Sequence, residues 1–276
     1  MRRFYSALKY VCILALVISL IALVSVVAYV LIKGVDKISL DLLFGDYKNS
    51  PSILPAFIGT LQLVGISAII AVPIGVASAI FLVEYTDNKG KFVKIVQIAT
   101  ETLAGIPSIV YGLFGYLIFV VALGWGYSML GGGITLAIMI LPTIVRSTQE
   151  SLISVQGGLR EGSYALGASK VRTIFKIILP SAAGGIVTSI ILAIGRVVSE
   201  SAVLILTIGM VVNKVPETVM SPGTSLALDI YYFASHGYPD EAAATAVVLL
   251  VFVIFLNLLA GFIGNMIKKS TYGDTK

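Results

Sequence analysis

Long apolar runs alternate with short polar stretches along this chain, and the run lengths carry the first inference. Six runs, at about 11–32, 57–83, 98–123, 133–145 (extending toward 151), 184–212 and 242–267, contain few charged residues. A bilayer core roughly 30 Å thick is crossed by about 20 residues of helix. Six such runs predict an all-α membrane domain of six spanning helices, and the even number predicts both chain ends on one side. The stretches between them, 33–55, 84–97, 146–180 and 213–240, are richer in charge, Pro and Gly and predict loops. The first run, about 22 residues long, exceeds the apolar region of a cleaved signal peptide, and no small-residue cleavage site follows it; it predicts a retained helix.

Two runs carry interruptions. Pro73 sits in the middle of the second, where the missing N–H and the ring predict a kink. The third is broken by Gly105-Ile106-Pro107-Ser108 and contains Gly112 and Gly115 beyond the break. Trp125 and Tyr127 follow it, an aromatic pair suited to a membrane interface.

Composition agrees with this pattern. The chain is 58% hydrophobic and 12% charged, against about 25% charged in soluble domains. Its only cysteine, Cys12, lies in the first run, and its only histidine, His236, lies in the last loop, so neither a disulfide nor a zinc cluster is expected. No G-x-x-x-x-G-K-[ST] string occurs. If ATP drives any work here, the ATPase is another chain.

The net charge of +5 reports topology before it reports partners. Fourteen of the 19 Lys and Arg fall on one predicted side: Arg2, Arg3 and Lys9; Lys89, Lys91 and Lys94; Arg146, Arg160, Lys170, Arg172 and Lys176; Lys268, Lys269 and Lys276. The other side has Lys33, Lys37, Lys48 and Lys214, with Arg196 inside a run. The basic side is expected to be cytoplasmic, which puts both termini there and leaves no charge argument for nucleic acid. The opposite face carries Asp36, Asp41, Asp46, Glu217, Asp229, Asp240 and Glu241. Such a surface is a poor free receptor for an anion, so an anionic substrate would need to be delivered.

The 146–180 stretch contains a patterned segment. Tyr164, Leu166, Val171, Ile174, Phe175 and Ile178 recur at helical spacing with Lys170, Arg172 and Lys176 between them. Two short helices joined at Gly167 are predicted, with Pro180 opening the next element. The pattern suits a plug for a groove on a partner and equally a helix lying on the bilayer surface.

The same segment, 161–180, resembles the cytoplasmic loop of ABC importer permeases: E-A-A, three residues, G, nine residues, I, one residue, L-P. Glu161, Gly167, Ile177, Leu179 and Pro180 match in identity and spacing, while Gly162 and Ser163 replace the two alanines with other small residues. The resemblance implies a type I permease fold and a coupling helix at 161–180 that docks on an ATPase subunit. Four further strings, Gly105 to Gly115, Leu123 to Tyr127, Ile140 to Arg146 and Ala193 to Glu200, resemble the phosphate-specific, PstA-like branch, and the similarity extends over about 56–267. That branch usually has Gly-Glu-Thr where Ser199-Glu200-Ser201 stands here.

Arg196 and Glu200 are charges within the fifth run, about 16 and 20 residues past Pro180, which is roughly 24–30 Å along a helix starting there. Spacing i, i+4 predicts one helix face. They read either as a salt bridge between helices or as a substrate or gating pair in which Arg196 alternates between Glu200 and a passing oxyanion. Pro107 and Ser108 read as a kink or as a broken helix whose N–H groups attract anions. Arg146, predicted to end the fourth span, reads as a basic anchor or as part of the inner mouth of a path. Pro73, Glu101 and Glu150 are expected to be packing or interface residues, and His236 a loop residue.

These readings divide the chain into an N-terminal helix and outer loop (1–56), a permease domain (57–267) and a cytoplasmic tail (268–276). The resemblance implies that the chain binds no cofactor and is not an enzyme. It implies as partners a homologous PstC-like permease subunit, two cytoplasmic ATPase subunits holding ATP and Mg, a soluble phosphate-binding protein and the lipid bilayer of a prokaryotic cell membrane. Rival readings are a permease for molybdate or sulfate and a stand-alone channel or secondary transporter.

Overall fold

A computed structural model describes residues 2–45, 47, 51–86 and 90–272, with side chains from 9 to 267 in those segments. Asp46, Lys48, Lys89 and Lys276 lie outside the described residues, as do the side chains of Arg2, Arg3, Lys268 and Lys269. All regular structure among the described residues is helical. Five helices are long and apolar enough to cross a membrane, and a sixth span results if one pair bent by 96° is counted as a single crossing.

α1 (Arg2–Gly34) lies against α12 (Pro239–Tyr272) and is exposed along its apolar length. α2 (Leu40–Phe44) is a short turn of helix in the outer loop. α3 (Leu54–Ile80) continues unbroken through Pro73 and ends in a π turn, Phe81–Tyr85. The expected interruption at that proline does not end the helix.

α4 (Lys91–Ala104) and α5 (Ser108–Gly115), which continues through a π turn at Tyr116–Ala122, are the bent pair. The third apolar run is therefore divided at 105–107, as its Gly and Pro predicted. Its first residues belong to a helix that leaves at nearly a right angle.

α6 (Met129–Ile153) is the central helix, two-thirds buried over its spanning window. It starts four residues earlier than the apolar run because Ser128 caps it, accepting from Gly131 N at 3.2 Å. It also runs two turns past Arg146, so Arg146 lies within the helix and does not end it. α3 packs along α6, and the main core gathers Leu63, Leu136, Ile140, Ile144, Val197 and Leu204 between them and their neighbours.

α7 (Gly157–Ala165) and α8 (Lys170–Thr173) form the segment between the fourth and fifth spans. α8, a π turn (Ile174–Ile178) and α9 (Leu179–Val198) run on as one helix of 29 residues, Lys170–Val198. Pro180 stands in the first turn of α9, as expected, although the helix runs into it without a break from Lys170. A proline conflicts with the carbonyl about one turn before it. Here that turn is the π turn, whose wider i→i+5 bonding accommodates the mismatch.

The fifth run was expected to be one span over 184–212. It is two helices: α9 stops at Val198, and α10 (Ala202–Thr207) follows after 199–201. The loop expected at 213–240 contains α11 (Leu226–Ser235), which packs on α12.

Candidate coupling surface and substrate path

The 161–180 segment forms a compact elbow. Gly167 has φ +80, a left-handed conformation that glycine adopts freely, and it turns the chain between α7 and α8. Gly167 N donates to Tyr164 O at 2.9 Å, and Ala168 N to Ser163 O at 3.1 Å, closing the end of α7. Ser169 caps α8.

The inner faces of the two arms meet through Ser163, whose hydroxyl hydrogen-bonds that of Thr173 at 2.8 Å with both residues buried. The serine standing where the resembled loop has alanine thus finds a polar partner. Ile174 and Ile178 are buried, and Leu179 packs with Leu152 and Val155. Ile177 is half-buried and Pro180 exposed.

The outer face is open. Leu166 is 90% exposed, and Tyr164, Val171, Phe175, Glu161 and Gly162 are exposed beside it. A Cβ on Gly162 would meet nothing within 4 Å, so its small size is not required by packing inside this chain. An apolar, knuckle-shaped patch of this kind fits a cleft on another protein.

Arg160 and Glu84 root this elbow, and sequence reading missed them: Arg160 had been counted only as a basic loop residue. Arg160 Nη2 donates to Glu84 Oε1 at 3.0 Å and Nε to the same oxygen at 3.3 Å. The guanidinium also donates to Leu152 O at 2.8 Å and Val155 O at 3.0 Å, at the C-terminal end of α6. A carboxylate buried at a helix end requires a partner of this kind.

Arg196 and Glu200 do not pair. The predicted i, i+4 face does not exist, because the helix ends between them. Glu200 instead accepts from Ala202 N at 3.0 Å and Val203 N at 3.3 Å, capping α10. Arg196 lies in the last turn of α9, where a cation complements the helix dipole. It is exposed and makes no ion pair among the described residues.

The two helix breaks adjoin. Tyr111 OH donates to Leu103 O at 2.8 Å across the 105–107 bend, and Ile106 and Tyr111 pack in one cluster with Ala193, Val197 and Val203. At Gly112 a Cβ would come within 3.0–3.2 Å of the backbone of Ala202 and Val203. Pro107 and Ser108 thus stand at the start of a helix that packs on α10, with Pro107 exposed and Ser108 half-buried.

Below Arg196, α9 presents Gly185, Leu192 and Arg196 as exposed residues of one stripe. Gly185 and Leu192 of that stripe line a groove of about 800 Å³, with Ser147, Ser151, Ser154, Ser181, Thr188 and Ser189, together with Asn265 and Glu150; Arg196 stands one turn beyond it. Arg146 does not line the groove but reaches it through Glu150, at 3.2 Å, and it also pairs with Glu101 at 3.6 Å. Glu101 and Glu150, expected as packing or interface residues, are its ion partners.

Asp229 is fully buried in α11. Thr224 Oγ1 donates to its Oδ1, and Oδ2 has no partner. Burial pushes its carboxyl up to about 8, against a smaller opposing effect of the Thr224 hydroxyl.

The family described as binding-protein-dependent transport system inner membrane component matches residues 71–271. The chain is 34% identical over 268 residues to the probable ABC transporter permease protein YqgI of Bacillus subtilis (strain 168), covering 90% of each. It is 36% identical over 213 residues to the phosphate transport system permease protein PstA 1 of Mycobacterium tuberculosis (strain CDC 1551 / Oshkosh), covering 75% of this chain and 69% of that one. A permease chain in a crystal structure of a bacterial alginate ABC transporter, in complex with an alginate pentasaccharide-bound periplasmic protein, shares the fold, with TM-score 0.70, 18% identity and 95% of each chain covered. With that match over most of its length and relatives 34–36% identical, the chain belongs to the binding-protein-dependent transport system inner membrane component family.

Proposed function

We propose that this chain is a permease subunit of an ATP-driven phosphate importer, forming half of the translocation path and taking its driving force from a separate ATPase. The observation that carries the reading is Arg196, an exposed guanidinium without an ion partner among the described residues, one turn beyond Leu192, which lines the hydroxyl-bearing groove along α9. Its planar fork donates two parallel hydrogen bonds to an oxyanion. The serine and threonine hydroxyls below it accept and donate in turn as an anion sheds water. Glu200, held by the N–H groups of α10, leaves Arg196 free for that task. The relatives named as phosphate permeases support phosphate as the cargo.

The open apolar face at Tyr164, Leu166, Val171 and Phe175, with Glu161 and Gly162, supports docking on a cytoplasmic ATPase that holds ATP and Mg. That assignment puts both termini in the cytoplasm and the 268–276 tail with them. The path is completed by a second, homologous permease subunit, and two ATPase subunits grip one elbow each. A soluble phosphate-binding protein delivers the anion to the acidic outer face, and the periplasmic protein bound to the alginate transporter supports that arrangement. ATP binding then biases the pair between inward- and outward-open states by differential affinity.

The test is uptake of radiolabelled phosphate by the reconstituted importer in proteoliposomes, with ATP supplied to the ATPase side. Uptake that requires ATP and is lost in Arg196→Gln with assembly intact is expected. ATP-independent uptake refutes the coupling, and normal uptake by Arg196→Gln removes the residue from the path. Competition by molybdate or sulfate stronger than by unlabelled phosphate would replace the cargo with another oxyanion.

A further inference from the structure

We propose that Arg160 and Glu84 form a strut that carries movement of the elbow into the membrane bundle, both acting as positioning residues for coupled transport; this rests on the ATP-driven reading above. Two independent contacts point to it. Arg160, on the first arm of the elbow, grips Glu84 with two donors of its fork, and Glu84 is the buried member of the pair, its side chain only 5% exposed. Lys170, which opens the second arm, places its ammonium 4.9 Å from the ring centre of Tyr85. Consecutive residues of one π turn, Phe81–Tyr85, are thus held by a cation from each arm.

The remaining donors of Arg160 reach Leu152 O and Val155 O, so a single guanidinium joins the elbow, the cytoplasmic end of α3 and that of α6. Arg160 directly precedes Glu161, which faces outward beside the docking patch. A displacement of that patch therefore acts on α3 and α6 through a short, charge-assisted connection. The other three ion pairs among the described residues join side chains at least 49% exposed and are screened by water. A π turn at the gripped end offers a helix that can change its bonding register without breaking.

The experiment compares phosphate accumulated per ATP hydrolysed in the assembled, reconstituted importer. Glu84→Gln and Arg160→Lys, which retain hydrogen-bonding groups at both positions, are expected to lower that ratio roughly fivefold or more while ATP hydrolysis continues. The double variant Glu84→Gln/Arg160→Lys is expected to fall no further than the worse single, because both act through one contact. An unchanged ratio in assembled Arg160→Lys complexes, or a double loss equal to the product of the singles, overturns the strut. Where Glu84→Gln does not assemble, the Arg160→Lys ratio alone decides. A wild-type importer that accumulates phosphate without ATP would overturn the underlying reading instead, a result distinct from failure of the strut.

Discussion

Ser163 and Thr173 stand on opposite arms of the elbow and join hydroxyls at 2.8 Å across the Gly167 turn. Thr173 Oγ1 also reaches Ser169 O at 3.1 Å, so it keeps a partner when Ser163 is lost. Ser163→Ala, which restores the alanine of the resembled loop, should cost only about 0.5–1.5 kcal/mol. Thermal unfolding of the purified protein checks this, and uptake by the assembled importer should stay near normal. Ser163→Leu places a large side chain in the same closed seam and should prevent the arms from meeting, with loss of uptake.

Gly167→Ala isolates backbone geometry from packing. A Cβ there meets nothing within 4 Å, so the whole penalty is that of a left-handed residue, about 1–2 kcal/mol. The protein should still insert and fold, while phosphate uptake per ATP hydrolysed falls. Unchanged coupling together with a lower melting temperature would show that the turn serves stability alone.

Glu200 separates two roles by a pair of substitutions. Glutamine keeps an oxygen that accepts from Ala202 N and Val203 N, whereas alanine leaves the start of α10 uncapped, at about 0.5–2 kcal/mol. Glu200→Gln should therefore retain more uptake than Glu200→Ala. Equal loss in both would assign the function to the charge and not to the cap.

Asp229 gives the protein's stability a pH dependence of definite sign. Its folded value, about 8, lies above the usual carboxyl value of 3.8. Between those limits the unfolded chain has released the proton and the folded one retains it. Stability from this group is therefore full below about pH 4, falls as pH rises, and levels off above about 8. Asp229→Asn should flatten the dependence and raise the melting temperature at pH 8 relative to pH 5. Melting curves of the detergent-solubilised protein across that range check the sign.

Much of the fold was legible because a bilayer makes run length decisive. The elbow was legible for a different reason: its glycine, proline and small residues sit at fixed spacings, and Gly167 does make the tight turn they implied, in a left-handed conformation. Hydropathy could not show that the apolar run 184–212 is two helices, because a carboxylate capping a helix inside an apolar stretch reads the same as a carboxylate on a helix face. Only the backbone around 199–201 distinguishes them, and it separates Arg196 from Glu200. The Ser-Glu-Ser triplet was the available signal, since serine and glutamate are both common at helix starts. Arg160 and Glu84 were hidden for another reason. They are 76 residues apart, and each looks like an ordinary charge at a membrane boundary.

The π turn at Ile174–Ile178 lets Pro180 ride inside a helix that would otherwise end there. From Lys170 to Val198 the chain is thus a single rod of 29 residues, roughly 43 Å long. Its foot is the second arm of the elbow, and Arg196 stands within a turn of its tip. The second arm of the elbow and the Arg196 guanidinium are therefore the two ends of one continuous piston, with no intervening loop between them.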